Sequence, residues 1–408
     1  MSDTFDSIRP TDSTFRDPRW VYQHLTNILK FYHPTCIDTT YGGYIPQLSD
    51  LDGTIYDSRS KLLPATCRLV FNYSVGSMLD GPVGCEQAAE HGLSYLVDQH
   101  RDAETGGYAW VMNGRDVEDP TRSTYGHAFV LFALASAGNA GIGDVDGSLE
   151  EVTETIEEQF WESDPGLFRS DLDTDWNPVS TYRGQNANMH MCEAHLAAYD
   201  YTGDEDYLDR AYTIAENLAL TFADRGDGLL WEHYTEDWDL DWEYNRDQPG
   251  HLFRPWGYQP GHLLEWSKLL VSLSHHRDEE WLVERAVRFF DAAVENGWDD
   301  EYGGFVYNFD RDGETIVADK YYWPLAEGIG ATVLLNEATD DERFLDWYDR
   351  IWSYAWANVV NRGHGNWYFK LTRENEIHSD LDDSPEVKVG YHQINACFEV
   401  LRTAGFVD

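Results

Sequence analysis

Apolar residues recur at helical spacing in twelve segments of the chain, at about 18–33, 62–79, 84–100, 124–138, 147–161, 186–202, 205–222, 260–276, 279–297, 324–337, 341–359 and 388–404. In 260–276, Leu263, Leu264, Trp266, Leu269, Leu270 and Leu273 cover a broad face. Pro260 stands in its first turn, where a missing N–H costs nothing. A glycine-aromatic cluster punctuates these segments: Tyr41-Gly42-Gly43-Tyr44, Gly106-Gly107-Tyr108, Gly166-Leu167-Phe168, Gly228-Leu229-Leu230-Trp231, Tyr302-Gly303-Gly304-Phe305 and Gly365-Asn366-Trp367-Tyr368. The copies lie about 60–75 residues apart. Most run into an alternating stretch and a turn, as Phe305-Val306-Tyr307-Asn308 does ahead of Asp312-Gly313, which predicts a small β-hairpin in each unit.

Six helical hairpins at a fixed period bury one continuous core, either as an open solenoid or as a closed ring. The irregular insert at 233–258 and the many tryptophans favour closure around a deep pocket. The expected fold is all-α, an (α/α)6 barrel of about twelve helices with short β-hairpins in the connections. No Pro/Gly/Ser-rich linker divides residues 1–408, which predicts a single catalytic domain.

Charge then excludes several functions. With 29 Lys+Arg against 74 Asp+Glu, the net charge of −45 opposes nucleic acid and anionic membrane surfaces as partners. The acids are dispersed, as in Glu150, Glu151, Glu157, Glu158, Asp204, Glu205 and Asp206, which suits a halophilic cytoplasm where salt screens self-repulsion. Five scattered cysteines without CxxC spacing point to reduced thiols. The polar start Met1-Ser2-Asp3 and the lack of a long apolar run point to a cytoplasmic protein.

One polar or ionisable residue falls near the start of the helix after each hairpin: Arg68, His127, His190, His262, Glu327 and His392, spaced 59 to 72 residues apart. If these helices form the inner ring, the six groups converge at one mouth. Histidine titrates near neutral pH and suits proton transfer at a carbon beside a carbonyl. A second His or an Arg would stabilise the enediolate oxygen. Glu265, at i+3 from His262, is placed to orient that imidazole. Trp110, Tyr125, Trp256, Trp266, Trp323 and Tyr391 offer flat faces for a sugar. Metal catalysis has weak support: there is no HExxH, and the pair in His190-Met191-Cys192-Glu193-Ala194-His195 diverges at i, i+5. No GxGxxG, Walker or GxSxG sequence indicates a nucleotide cofactor or a serine hydrolase.

Four stretches carry a resemblance: Tyr182-Arg183-Gly184-Gln185-Asn186-Ala187-Asn188-Met189-His190; Phe253-Arg254-Pro255-Trp256-Gly257-Tyr258-Gln259-Pro260-Gly261-His262-Leu263-Leu264-Glu265-Trp266; Trp323-Pro324-Leu325-Ala326-Glu327; and Tyr391-His392. They resemble the N-acylglucosamine 2-epimerase superfamily, and most of all its aldose–ketose isomerase branch of mannose and sulfoquinovose isomerases. The resemblance implies an (α/α)6 barrel without catalytic metal or cofactor, and a cis-enediol reaction. It implies that His262 and His392 are the acid/base pair, with the division of labour open. Arg68 and His190 match substrate-binding residues, and Asn186, Arg254, Glu265, Trp323 and Glu327 match further pocket positions. The sulfosugar isomerases carry a second arginine where this chain has Leu252, which favours a neutral, mannose-like hexose. The alternatives are a 2-epimerase of N-acylglucosamine or a disaccharide, an (α/α)6 glycosidase using Glu265 and Glu327, and a non-catalytic sugar-binding protein.

Overall fold

A computed structural model describes residues 12–378 and 387–407. Besides short helical turns such as Asp12–Phe15, the described residues form twelve helices of eleven residues or more: α1 (Pro18–Tyr32), α2 (Leu63–Met78), α3 (Cys85–Tyr95), α4 (Thr124–Asn139), α5 (Asp146–Gln159), α6 (Gln185–Thr202), α7 (Glu205–Ala215), α8 (Pro260–Ser274), α9 (Glu280–Gly297), α10 (Tyr322–Thr339), α11 (Arg343–Tyr354) and α12 (Tyr391–Thr403). The even-numbered helices pack side by side, and α12 returns onto α2, so the ring closes. Each odd-numbered helix covers the outside of the even-numbered one in its hairpin. This is the (α/α)6 barrel expected from the repeat.

The two rings follow from two hydrophobic patterns. Outer helices are amphipathic: α1 buries Val21, Leu25, Ile28, Leu29 and Tyr32, one stripe at helical spacing. Inner helices touch neighbours on every side and are apolar nearly all round. In α4 the run Ala128 to Ala135 is wholly buried. All five cysteines are free thiols in this interior.

The glycine-aromatic clusters hold turns, and in one copy Leu167–Phe168 is itself a hairpin strand, paired with Trp161–Glu162. Gly42 N–H donates to Asp38 O, Gly106 to Asp102 O, Gly303 to Asp299 O and Gly365 to Asn361 O. These glycines have φ between 75° and 93°, a region a side chain disfavours. Local hairpins do follow in places, as Asn308–Phe309 with Thr315–Val317. Other strand pairs join neighbouring units. Ser60–Leu62 pairs with Val111–Asn113, Arg122–Ser123 with Asp171–Leu172, Arg183–Gly184 with His233–Tyr234, and Lys320–Tyr321 with Lys370–Leu371. Each of these pins the residues just ahead of an inner helix to the next unit.

A second repeat, hidden in the sequence, fixes the same mouth. Two residues before α2, α4, α6 and α10 stands a buried cation: Lys61, Arg122, Arg183 and Lys320. Their partners are Asp38 (2.7 Å), Asp102 (2.7 Å), Glu162 (2.7 Å) and Asp299 (3.3 Å), from the turn or strand after the preceding outer helix. Lys388, three residues before α12, pairs with Asp50 of the first unit. Buried ion pairs add little net stability, but each allows one register only. The inner helices therefore start at fixed positions around one opening.

Candidate active site

At that opening Arg68, Asn186, His190, His262, Trp323 and His392 line one inner pocket, together with Glu265, Tyr125, Leu252 and Phe253. Seven of the nine residues singled out in the sequence thus meet. Arg254 does not join them. It lines an adjoining chamber of about 520 Å³, where its guanidinium binds Asp171 at 2.7 Å and lies over the Tyr182 ring. Glu327 lies beneath the pocket, behind His392.

Each pocket histidine is held through Nδ1 by a buried glutamate. His392 contacts Glu327 at 2.6 Å, His190 contacts Glu193 at 3.0 Å, and His262 contacts both oxygens of Glu232 at 2.9 and 3.0 Å. A carboxylate is the strongest acceptor in reach, so it takes the Nδ1 proton and leaves Nε2 for the pocket. Trp323 stands between His262 and His392, its ring 5.2 Å from one imidazole and 5.8 Å from the other. Burial pushes His392 down to about 4 and lowers His190 as well, so both imidazoles are neutral bases at physiological pH.

Glu265 does not orient His262, contrary to its i+3 spacing. His262 occupies the first turn of α8 and leans toward the Arg183–Gly184/His233–Tyr234 ladder, which brings up Glu232 and Gln185. Glu265 faces the barrel axis, with Oε1 3.8 Å from His190 Nδ1. Burial, then repulsion from Glu327, raises its carboxyl well above the usual range. For Glu327 and Glu193 burial pulls the same way. It is outweighed by the Lys268 ammonium together with the histidine each one holds, and both stay ionised.

His127 is a structural residue. Nε2 accepts the Tyr108 N–H, Nδ1 donates to Ser123 O, and the ring packs on Phe160. It is the fourth residue of α4, whereas Arg68, His190 and Glu327 are sixth in α2, α6 and α10. Two positions turn a side chain by roughly 200° about the helix, which explains the miss. Tyr125 lines the pocket in its place and accepts from Arg68 at 2.8 Å. Of the other aromatic candidates, Trp266 donates to Gln185, Tyr391 donates to Glu193, and Trp256 packs on Trp231, all outside the inner pocket. Trp110 lines the outer chamber.

Two donor groups converge closely enough to suggest a metal, His190/Glu193/Glu265 and Glu265/Glu327/His392, each with its ligand atoms within 4.8 Å of one another. The cation these carboxylates surround is Lys268, whose Nζ lies 2.8 Å from Glu327 and 3.8 Å from Glu193. The same closeness opposes an inverting glycosidase, which needs its carboxyls about 6.5–9.5 Å apart with room for water. Four buried polar atoms of pocket residues, Arg68 Nε, Asn186 Oδ1, Gln259 Nε2 and Glu265 Oε1, have no hydrogen-bond partner among the described residues. Together they suit a ligand rich in hydroxyls.

The family model for N-acylglucosamine 2-epimerase (GlcNAc 2-epimerase) matches residues 43–396. The chain belongs to this family. Among its relatives, the D-mannose isomerase of Marinomonas mediterranea is 39% identical over 390 residues, covering 95% of this chain and 98% of its own. A crystal structure of a D-mannose isomerase superposes with a TM-score of 0.93 at 38% identity, over 97% of this chain and 100% of that one. A cellobiose 2-epimerase of Bacteroides fragilis matches at 21% identity over 92% of this chain and 96% of its own. In this member of the N-acylglucosamine 2-epimerase family, Glu193, Glu232 and Lys268 escaped the sequence reading. Glu193 carried a signal, the i+3 spacing from His190, and Lys268 another, a charge inside a helix apolar all round. Glu232 carried none, because it meets His262 only through strand pairing.

Proposed function

We propose that this chain interconverts D-mannose and D-fructose by proton transfer through a cis-enediol. The observation that carries the reading is the pair His262 and His392. Each is fixed at Nδ1 by a buried glutamate, and the two imidazoles flank Trp323 in one pocket. One imidazole takes the anomeric hydroxyl proton and, as the imidazolium, gives it to the ring oxygen, opening the pyranose. A neutral imidazole then removes the C2 proton and returns it to C1 while the O2 proton passes to O1, and the Glu partner stabilises the transient imidazolium. The Arg68 guanidinium, held by Val387 O and Tyr125, supplies charge for the enediolate oxygen. Asn186, His190, Glu265 and Trp323 bind sugar hydroxyls and the ring face. Arg254 steadies the outer chamber, and Glu327 orients His392.

The D-mannose isomerase relatives support this substrate. Leu252 in the pocket wall supports a neutral sugar over a sulfonated one, and efficient turnover of sulfoquinovose would count against that choice. We read the whole chain as one catalytic barrel in a salt-rich cytoplasm, working without metal or redox cofactor. No helix among the described residues is long and apolar enough to cross a membrane. The test is incubation with D-mannose in high-salt D2O, with chelator present, followed by NMR. Fructose formation supports the proposal, with deuterium at C1 wherever the imidazolium exchanges with solvent before returning its proton. No fructose, but conversion of N-acetylglucosamine or a disaccharide to its 2-epimer, would make the chain an epimerase instead.

A further inference from the structure

Lys268 lies in the middle of α8 and is 3% exposed, in a stretch whose neighbours Leu264, Leu269, Leu270 and Val271 are all buried core. Its ammonium donates to Glu327 at 2.8 Å and lies 3.8 Å from Glu193. Glu327 holds His392 and Glu193 holds His190, so an unbroken series, His190–Glu193–Lys268–Glu327–His392, runs beneath the pocket. Other groups face this cation from every packed helix. Glu265 projects from α8 itself, and Glu399 from α12 feels its charge. On α12, Tyr391 and Asn395 donate to Glu193 at 2.6 and 3.2 Å, and on α2, Arg68 acts on Glu265 and His392.

The far side of this layer is open. Glu193, Lys268 and Asn395 also line a second cavity of about 620 Å³, at the end of the barrel where the inner helices finish, with Ser272, Glu399 and Arg402 along its wall. Lys268 therefore separates the sugar pocket from a cavity that the sugar pocket does not include.

We propose that Lys268 is the positioning residue of the site: its ammonium fixes Glu193 and Glu327 under two histidines, and it is reachable by small cations from the opposite end of the barrel. The proposal rests on the isomerase reading for its effect on turnover. Without the cation, the two anions Glu193 and Glu327 repel each other. Their carboxylates shift, and neither holds its histidine in one orientation. Lys268 lines no part of the sugar pocket, so its loss falls on kcat and spares KM. Removing a positive charge makes protonation of its neighbours easier, so the His190 and His392 titrations move to higher pH.

The test uses Lys268→Ala in the full chain, with kcat and KM on mannose from about pH 4 to 9 and NMR titration of histidine labelled at Cε1. Expected are a kcat loss on the order of ten- to a hundred-fold, KM within about two-fold, and upward shifts of both titrations. n-Propylammonium replaces the three carbons and the nitrogen that the substitution deletes. Entering from the second cavity, it should restore part of kcat and return the titrations. The same amine should not rescue His392→Ala. A kcat loss with unmoved titrations and no amine rescue would reduce Lys268 to a packing residue and overturn the proposal, as would an unchanged kcat. If Lys268→Ala fails to fold, Lys268→Met/Glu193→Gln removes one charge of each sign and leaves the His392 titration to be read against wild type. That titration needs no substrate. A wild-type protein inactive on mannose would refute the functional reading and leave this test standing.

Discussion

Glu232→Gln tests whether the tautomer of His262 matters to turnover. Glu232 is 3% exposed and uses both oxygens on His262 Nδ1, while Oε2 also accepts from the Gln185 amide at 2.8 Å. Gln185 cannot turn to substitute, because its own Oε1 accepts the Trp266 indole N–H at 2.8 Å. In the wild type, two donors, the imidazole Nδ1–H and the Gln185 amide, meet one acceptor group. In Glu232→Gln a new amide NH2 enters that cluster, and the arrangement that avoids a donor–donor clash puts a lone pair on Nδ1. The proton then sits on Nε2, the nitrogen facing the pocket, and the base is lost. Losing only the charge-assisted hydrogen bond costs about 1.5–3 kcal/mol, or roughly 10- to 150-fold in rate. A reversed tautomer raises the cost toward about 10⁴-fold, as for the histidine of a serine-protease triad. The expected kcat loss is therefore on the order of 10²–10⁴-fold, with KM nearly constant and the thermal midpoint close to wild type, since volume and packing are kept. Initial rates of fructose formation from mannose, with circular dichroism for fold, measure this. A variant retaining a third of wild-type kcat across the pH range would refute the tautomer reasoning.

Three further outcomes are expected. Asp38→Asn keeps its oxygen on the Thr40 and Tyr41 N–H groups and turns its amide NH2 toward the fully buried Lys61 ammonium, which retains Tyr44 O as acceptor, and denaturant unfolding should show a loss of about 3–5 kcal/mol. Burial holds His24 at about 3 and His100, His127, His233 and His392 at about 4, below the 6.5 of an unfolded chain. Above pH 6.5 neither state is protonated and stability is full; as pH falls from 6.5 to 4 only the unfolded chain binds these protons. Stability should therefore drop by about 3 kcal/mol per histidine across that window, and a denaturation series showing none would sink the assignment. With a net charge of −45, removing KCl or NaCl should lower both activity and melting temperature, whereas full activity in dilute buffer would show that no salt adaptation exists.

What the sequence shows of this site depends on how each contact is made. His190 and Glu193 share one helix, and their meeting follows from a 3.6-residue period. Lys268 is legible by the same logic, since a charge inside an all-apolar helix requires buried partners. The period of the repeat located the mouth, because every inner helix restarts after its glycine turn. It did not give the rotation of each helix. Position four and position six of an inner helix look alike in a spacing count, yet His127 faces the Tyr108 turn and His190 faces the axis. Glu265 failed for a related reason, since sharing a face with His262 does not decide which neighbour each one leans toward. That choice was made by residues far off in the chain, through the pairing of Gly184 with His233 that brings Glu232 under His262. Contacts within a helix are thus written in sequence spacing, whereas contacts between units are set by strand register and by buried pairs such as Lys61–Asp38. The geometry of the pocket lies at the crossing of the two, which is why its histidines could be named beforehand and only one of the three glutamates that aim them, Glu327, was among the residues singled out.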